Sequence, residues 1–273
     1  MRITILTNKD LASCLALNHL IPGLKNHQLN VFLSSRVGGS ASNENRLPQA
    51  LLDLKFYEQD LFLNTVFPIA DALALENPSL RSFYSLAEKF NIPISELNRI
   101  NKEDFDTYAS VEPDLVLSIR YGVILKQAAI NLPTHGVINL HSGRLPQYKG
   151  VMASFRAMLN GDNELGTTLH YIDDGSIDTG RIIAGSSMPI NPGRSYLWHV
   201  LELYEDACKM MLDTVNRIEK GEQLDSSLQQ PAGDYFSFPQ QQNLDEFNEL
   251  GMSLLQADEV MDVAKKFYRS KRE

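Results

Sequence analysis

Three side chains in two separate segments have the types and spacing for chemistry at a carbonyl group. The run VINLH carries Asn139 and His141 two positions apart. In an extended strand successive side chains alternate, so these two share one face while Ile138 and Leu140 share the other. Further along, DDGSIDTG (173–180) holds Asp173, Asp174 and Asp178, with Gly175 and Gly180 suited to sharp bends or close approach to a ligand. An amide, an imidazole and a carboxylate suit addition to a carbonyl. The amide N–H and an imidazolium stabilise a developing oxyanion, and the carboxylate orients the imidazole or moves a proton. The same residues also suit plainer roles, as polar caps of a strand and as an acidic surface turn or cation loop. An EF-hand is excluded, because its loop needs a Glu at the twelfth position. Residue pattern alone leaves site and bland loop both open.

The elements that must position these residues alternate between strand and helix. Residues 2–6 (RITIL) predict a strand, 11–20 (LASCLALNHL) a helix and 30–34 a second strand, a β-α-β opening that implies a parallel sheet with helices on its faces. Ligands of such sheets sit beyond the carboxyl ends of the strands, which is where Asn139 and His141 fall. The turn after the first strand, TNKDLAS, has no glycine, so a dinucleotide fingerprint is absent. A polar loop (RVGGSASNEN) opens residues 36–78, a stretch whose pattern is not readable. Beyond it the sequence predicts helices over 79–91 and 101–111, an extended piece at NIPI, a strand over 114–119, a short helix in KQAAINL, and the strand GVINLH. Two strands around a loop follow (167–173 and 181–190), then a long helix from Ser195 to Gly221. The Gln-, Ser- and Pro-rich QLDSSLQQPAGDYFSFPQQQN reads as a linker or strap outside the core, its aromatics packing it onto the domain. A last helical region covers 244–270.

At 273 residues and 43% hydrophobic, the chain is long enough to bury a sizeable core. No run of about 18 apolar residues occurs and the N-terminus lacks a signal-peptide pattern, so a cytoplasmic protein without membrane partners is expected. Cys14 and Cys208 are far apart and outside any CxxC, so no disulfide framework and no metal site are expected. The formal charge of −9 argues against broad capture of nucleic acid. The basic tail KKFYRSKRE reads first as a helix C-terminus whose cations complement the dipole, and as the alternative a phosphate-binding patch.

The run NLHSGRLPQYKGVMASFRAMLNGDNELGTTLHYIDDGSIDTGRII resembles the core of the folate-dependent formyltransferases, with their N-x-H-P-S-x-L-P-x-x-x-G, NGD-x-x-x-G and D-x-G-x-D-T-G motifs in order. The resemblance is strong over about 113–190 and extends over 1–220. It implies a Rossmann-like, doubly wound, mostly parallel α/β domain over 1–220, followed by a strap and helical extension over 221–273. It further implies transfer of a formyl group from 10-formyltetrahydrofolate to a primary amine. Asn139 and His141 match the motif's oxyanion pair and Asp178 its carboxylate. RYGVIL (120–125) matches the stretch that holds the pterin, which makes Tyr121, Val123 and Leu125 candidate folate contacts. The loop 172–177, with Ile172, Asp174 and Gly175, is expected to wrap the other side. His170 corresponds to a frequent family histidine near substrate and equally suits a structural role. Two departures stand out: Ser142-Gly143 replaces the usual Pro-Ser, and the Asp178 loop is one residue longer than in most members.

The family's acceptors differ, and the resemblance narrows them by elimination. The purine-pathway enzyme carries a Gly-rich phosphate loop that TNKDLAS does not supply. The related hydrolases carry an additional N-terminal domain, whereas here the sheet is expected to begin at residue 2. The tRNA enzymes add a C-terminal barrel and a basic face. A small amine such as the 4-amino group of a nucleotide-linked sugar is therefore the first expectation, with methionyl-tRNA as the alternative acceptor and a non-catalytic folate-binding protein as the alternative of another class. A homodimer is left open.

Overall fold

The computed structural model describes residues 1–35, 47–230 and 232–270. The polar loop expected at 36–45 and the last three residues of the basic tail lie outside these. β1 (Arg2–Asn8), α1 (Leu11–Leu20) and β2 (Gln28–Ser34) form the expected opening unit. A helical run then leads from α2 (Gln49–Lys55) to α3 (Phe67–Leu73) through two π-helical segments, Phe56–Asp60 and Phe62–Val66. Pro68 accounts for at least part of that widening. It has no N–H to give and its ring crowds the carbonyl four residues back, and just before it Phe67 reaches five residues back, to the Phe62 carbonyl.

The chain continues with α4 (Phe83–Phe90), β3 (Ile94–Glu96), α5 (Phe105–Ser110), β4 (Leu115–Ile119), α6 (Gln127–Ile130), β5 (Val137–His141), β6 (Tyr148–Gly150) and α7 (Ala153–Leu159). β7 (Glu164–Tyr171), β8 (Ile182–Pro189), α8 (Tyr196–Glu219), β9 (Asp234–Phe236), α9 (Gln241–Glu249) and α10 (Ala257–Tyr268) complete it. Two helices are shorter than their patterns suggest. α4 begins only after Ser82, whose hydroxyl accepts the Ser85 N–H. Residues 101–104 form a turn, held by the Asp104 carboxylate accepting the Asn98 and Arg99 N–H groups, so α5 starts at Phe105.

Seven strands form one sheet in the order β3-β2-β1-β4-β5-β7-β8. The first five in that order run parallel, and β7 and β8 are antiparallel to their neighbours. The strands alternate between two cores, as a sheet covered on both faces must. Ile3, Ile5, Leu117, Ile119, Ile138 and Leu140 join the large core with α1 and α8, while Leu6, Val116 and Val137 join a smaller one with Tyr108 and Leu125. Each such side chain contributes about 1.5–3 kcal/mol by leaving water. Cys14 and Cys208 are free thiols buried in the large core, which pushes both well above the ordinary thiol range.

The C-terminal segments share that core. Phe247 of α9 lies 4.6 Å from Phe155, and Phe267 of α10 lies 5.0 Å from Phe67, between ring centres. The expected strap does more than cross the surface: β9 pairs with β6 in a separate two-stranded parallel ladder that the sequence pattern did not announce. Among the described residues, no helix is long and apolar enough to cross a membrane.

Candidate active site

β5 carries Asn139 and His141 to its carboxyl end, on the face whose strand residue Val137 belongs to the smaller core. Asn139 is flanked by Ser118 of β4 and, across the antiparallel pairing, by His170 of β7. That register sets the Asn139 Nδ2 3.0 Å from His170 Nε2. His170 Nδ1 lies 2.8 Å from the Tyr171 carbonyl, which can only accept, so Nδ1 bears the proton. In the neutral ring, Nε2 then accepts from the Asn139 amide, which keeps its second N–H for another partner.

The same logic fixes the tautomer of His141. Its Nε2 is 2.7 Å from the Tyr148 carbonyl and donates to it, so Nδ1 is the nitrogen turned to Asp178, 3.6 Å from Oδ2. Tyr148 is itself pinned. Its hydroxyl donates to Asp162 at 2.9 Å and accepts from Asn160 at 3.1 Å, which gives the Asn160-Gly161-Asp162 turn a concrete task.

The loop between β5 and β6 explains the Ser142-Gly143 departure. Thr168 donates to the Gly143 carbonyl and Ser154 to the Ser142 carbonyl, both at 2.8 Å. A Cβ at position 143 would sit 2.5 Å from the Ala153 Cβ and 2.6 Å from His141 Nε2. Serine therefore does not fit there in this arrangement. Gly150, at the end of β6, is equally constrained: its φ is +93°, a Cβ would meet the Phe236 carbonyl at 2.3 Å, and its N–H donates to Asp178 Oδ2 at 2.8 Å.

The three carboxylates of DDGSIDTG have different fates. Asp173 pairs with Arg181 at 2.9 Å, and exposed Asp174 turns the chain by accepting the Ser176 N–H at 2.7 Å. Asp178, in the left-handed region at φ +55°, is turned inward with its side chain 11% exposed. Its Oδ1 lies 3.5 Å from His170 Nε2. Burial alone would raise its pKa, but His141, His170 and the Gly150 N–H outweigh that and bring it down to about 2. Asn139, His141, His170 and Asp178 thus form one cluster. His170 and the Gly150 amide are the members that sequence pattern did not single out with weight. The direct pairing of Asn139 with His170 becomes readable only once the register of β7 is known.

Five of the six candidate folate residues lie together. Tyr121, Val123, Leu125 and Ile172 all belong to the smaller core, and Gly175 faces the Leu125 carbonyl, where an added Cβ would stand 3.5 Å away. The two loops therefore meet, with Asp174 on the solvent side. The 120–126 loop is firmly held: Asn8 accepts the Gly122 N–H at 2.9 Å, Tyr121 donates to the Leu97 carbonyl at 2.7 Å, and Asn101 bonds Ile124 and Lys126, each at 2.8 Å. Apolar side chains beside a fixed backbone edge suit a flat heteroaromatic ring such as a pterin. Among the described residues, no group of three His, Cys, Asp or Glu is placed to hold a metal ion.

A second charged cluster lies at the neighbouring strand end. Arg120 follows β4 in the left-handed region, φ +57°, and its guanidinium lies 3.2 Å from Asp10 and 2.5 Å from Glu58. Asp10 also caps α1 by accepting the Ser13 N–H at 2.8 Å. Burial raises Glu58, with Arg120 opposing and Asp10 adding to the rise, and the result is about 7.

Sequence and fold each resemble those of known proteins. Residues 77–200 match the family described as formyl transferase, so that segment resembles its members. Methionyl-tRNA formyltransferase of Kosmotoga olearia is 30% identical over 138 residues, 50% of this chain and 44% of that protein, so the match spans less than half of its relative. Among solved structures, an N-formyltransferase from Helicobacter canadensis in complex with folinic acid and dTDP-3-aminofucose aligns with a TM-score of 0.55 and 21% identity, covering 89% of this chain and 72% of that one. Phosphoribosylglycinamide formyltransferase from Anaplasma phagocytophilum aligns with a TM-score of 0.55 and 17% identity, over 86% and 96% of the two chains. At these identities the structural likeness concerns the fold.

Proposed function

We propose that this chain transfers a formyl group from 10-formyltetrahydrofolate to a primary amine of a small molecule, a nucleotide-linked amino sugar being the first acceptor to test. The observation that carries the reading is the convergence of Asn139, His141 and an ionised Asp178 at one strand end. Tyr121, Val123, Leu125, Ile172, Asp174 and Gly175 would hold the folate, whose formyl carbon loses its bond to N10 as the amine nitrogen bonds to it. The free N–H of Asn139 and a protonated His141 would meet the negative charge developing on the formyl oxygen. Asp178, ionised at neutral pH, would sustain that charge on His141 and accept the proton the amine must lose.

One observation weighs against an acceptor whose phosphate sits on α1, and one supports a nucleotide-linked sugar. The N-terminus of α1, where a phosphate is often bound, already holds the Asp10 carboxylate. The Helicobacter neighbour was crystallised with a nucleotide-linked amino sugar. The names of the curated relatives favour methionyl-tRNA, against which the charge of −9 weighs. Incubation with 10-formyltetrahydrofolate and a panel of amines, including nucleotide-linked amino sugars and methionyl-tRNA, should release tetrahydrofolate with the true acceptor. Tight folate binding with no release for any amine would leave the non-catalytic reading standing. His141→Ala should slow release on the order of a hundredfold or more. An unchanged rate would remove His141 from the reaction.

A further inference from the structure

The strap between α8 and α9 touches the candidate site at one side chain. Gln229 Nε2 donates both its hydrogens inward, to the Asp178 carbonyl at 3.0 Å and the Gly180 carbonyl at 2.8 Å. Its Oε1 is buried and has no hydrogen-bond partner among the described residues. A buried carbonyl oxygen without a donor is unfavourable, and a surface strap has many ways to avoid one. The amide is held there for its N–H groups.

The strap is fixed on both sides of that contact. Before it, Ser227 exchanges two backbone hydrogen bonds with Ile182, at 2.8 and 2.9 Å. After it, β9 lies along β6, the Val151 N–H donates to the Phe236 carbonyl at 2.8 Å, and Lys149 donates to the Ala232 carbonyl at 2.9 Å. β6 supplies both the Gly150 N–H that binds the Asp178 carboxylate and the Tyr148 carbonyl that binds His141. One surface segment therefore braces Asp178 twice, through its backbone by Gln229 and through its carboxylate by way of Gly150. Such bracing matters because a non-glycine residue at φ +55° does not rest there unaided.

We propose that Gln229 is a positioning residue for Asp178, holding the left-handed turn that aims this carboxylate at His141 and His170. The proposal rests on Asp178 being the site carboxylate, as read above, and acts through that residue alone. A side chain of similar length without donors, as in Gln229→Met, frees the two carbonyls and lets the turn relax. Gln229→Glu does the same at neutral pH by presenting a carboxylate to two carbonyl oxygens.

The test follows the imidazole NMR titrations of His141 and His170 in the full chain, for the parent, Gln229→Met, Gln229→Glu, Asp178→Asn and the Gln229→Met/Asp178→Asn double variant. Both Gln229 variants should move the two titrations toward those of Asp178→Asn, with little change in melting temperature, and Gln229→Met should add nothing in the Asp178→Asn background. Tetrahydrofolate release should fall about tenfold or more, in kcat more than in KM for the folate. Titrations that superimpose on the parent, or an equal effect with and without Asp178, would overturn the proposal. The NMR result stands even if no amine is ever formylated, in which case the proposed reaction fails and the positioning role does not. If Gln229→Met does not fold, Gln229→Glu carries the same comparison.

Discussion

Two buried carboxylates stand at neighbouring strand ends, Asp178 beside β5 and Glu58 beside the residue that follows β4, and their surroundings drive them in opposite directions. Asp178 lies beside two imidazoles and a donating backbone N–H, which together hold it down to about 2. Glu58 shares a single guanidinium with Asp10, and burial lifts it to about 7. Similar chemistry at similar depth thus gives one group that stays charged and another poised to take up a proton near neutrality. What decides is the balance of favourable partners against carboxylates: one acid beside two imidazoles and a backbone N–H, against two acids on one cation. The first arrangement suits a reaction, and the second suits holding elements together. Arg120 ties α1, through Asp10, to the π-helical segment that carries Glu58.

If that contrast is right, the two clusters fail differently. Asp178→Asn should cost about 10²–10⁴-fold in the rate of tetrahydrofolate release, because the proton acceptor and the charge that sustains a protonated His141 both vanish. It should also remove a pH effect. The folded-state pKa lies below the unfolded one, so the parent keeps this stability above the ordinary carboxylate range and loses up to about 2 kcal/mol as pH falls through about 2. Urea unfolding followed from pH 5 to 2 should show that loss in the parent and not in the variant. Arg120→Met should act on stability first. It leaves Asp10 and Glu58 facing each other without a cation, a change worth about 3 kcal/mol or more, read as a lower urea midpoint at pH 8. A variant as stable as its parent would mean that the Arg120 cluster holds nothing together.

How far these clusters were legible in the sequence follows from what each depends on. β1, β4 and β5 are short apolar runs buried on both faces, and runs of that kind declare themselves in composition. Asn139 and His141 drew attention because they lie two apart on one strand, whereas Asp178 was singled out from three carboxylates only by the resemblance. The Asn139–His170 contact was not visible, because it depends on the antiparallel register of β7 against β5, which pattern does not fix. Gln229 lies in a Gln-rich stretch that composition assigns to a linker, and its two bonds reach about fifty residues back along the chain. Arg120 was read only as the first residue of a folate-binding stretch. Its left-handed backbone, and the reach of its side chain to Asp10 and Glu58, follow from tertiary packing.

The smallest expected effect is the most direct probe of the contrast. Glu58→Gln removes the group whose folded-state pKa exceeds its unfolded one. Between the ordinary glutamate range and about pH 7 the folded chain holds a proton there that the unfolded chain has released. By linkage, stability contributed by Glu58 is therefore present at low pH and is lost as pH rises through that window. Glutamine imitates the protonated form at every pH, so the variant should resemble the parent near pH 4.5 and exceed it at pH 8 by about 1–2 kcal/mol, after allowance for the weaker bond to Arg120. Melting temperatures at the two pH values suffice. The parent should fall further than the variant between them, the reverse of the sign expected for Asp178 at the acid end. Parallel profiles would mean that Glu58 is already ionised, with Arg120 serving both carboxylates, and the opposition between the two clusters would disappear.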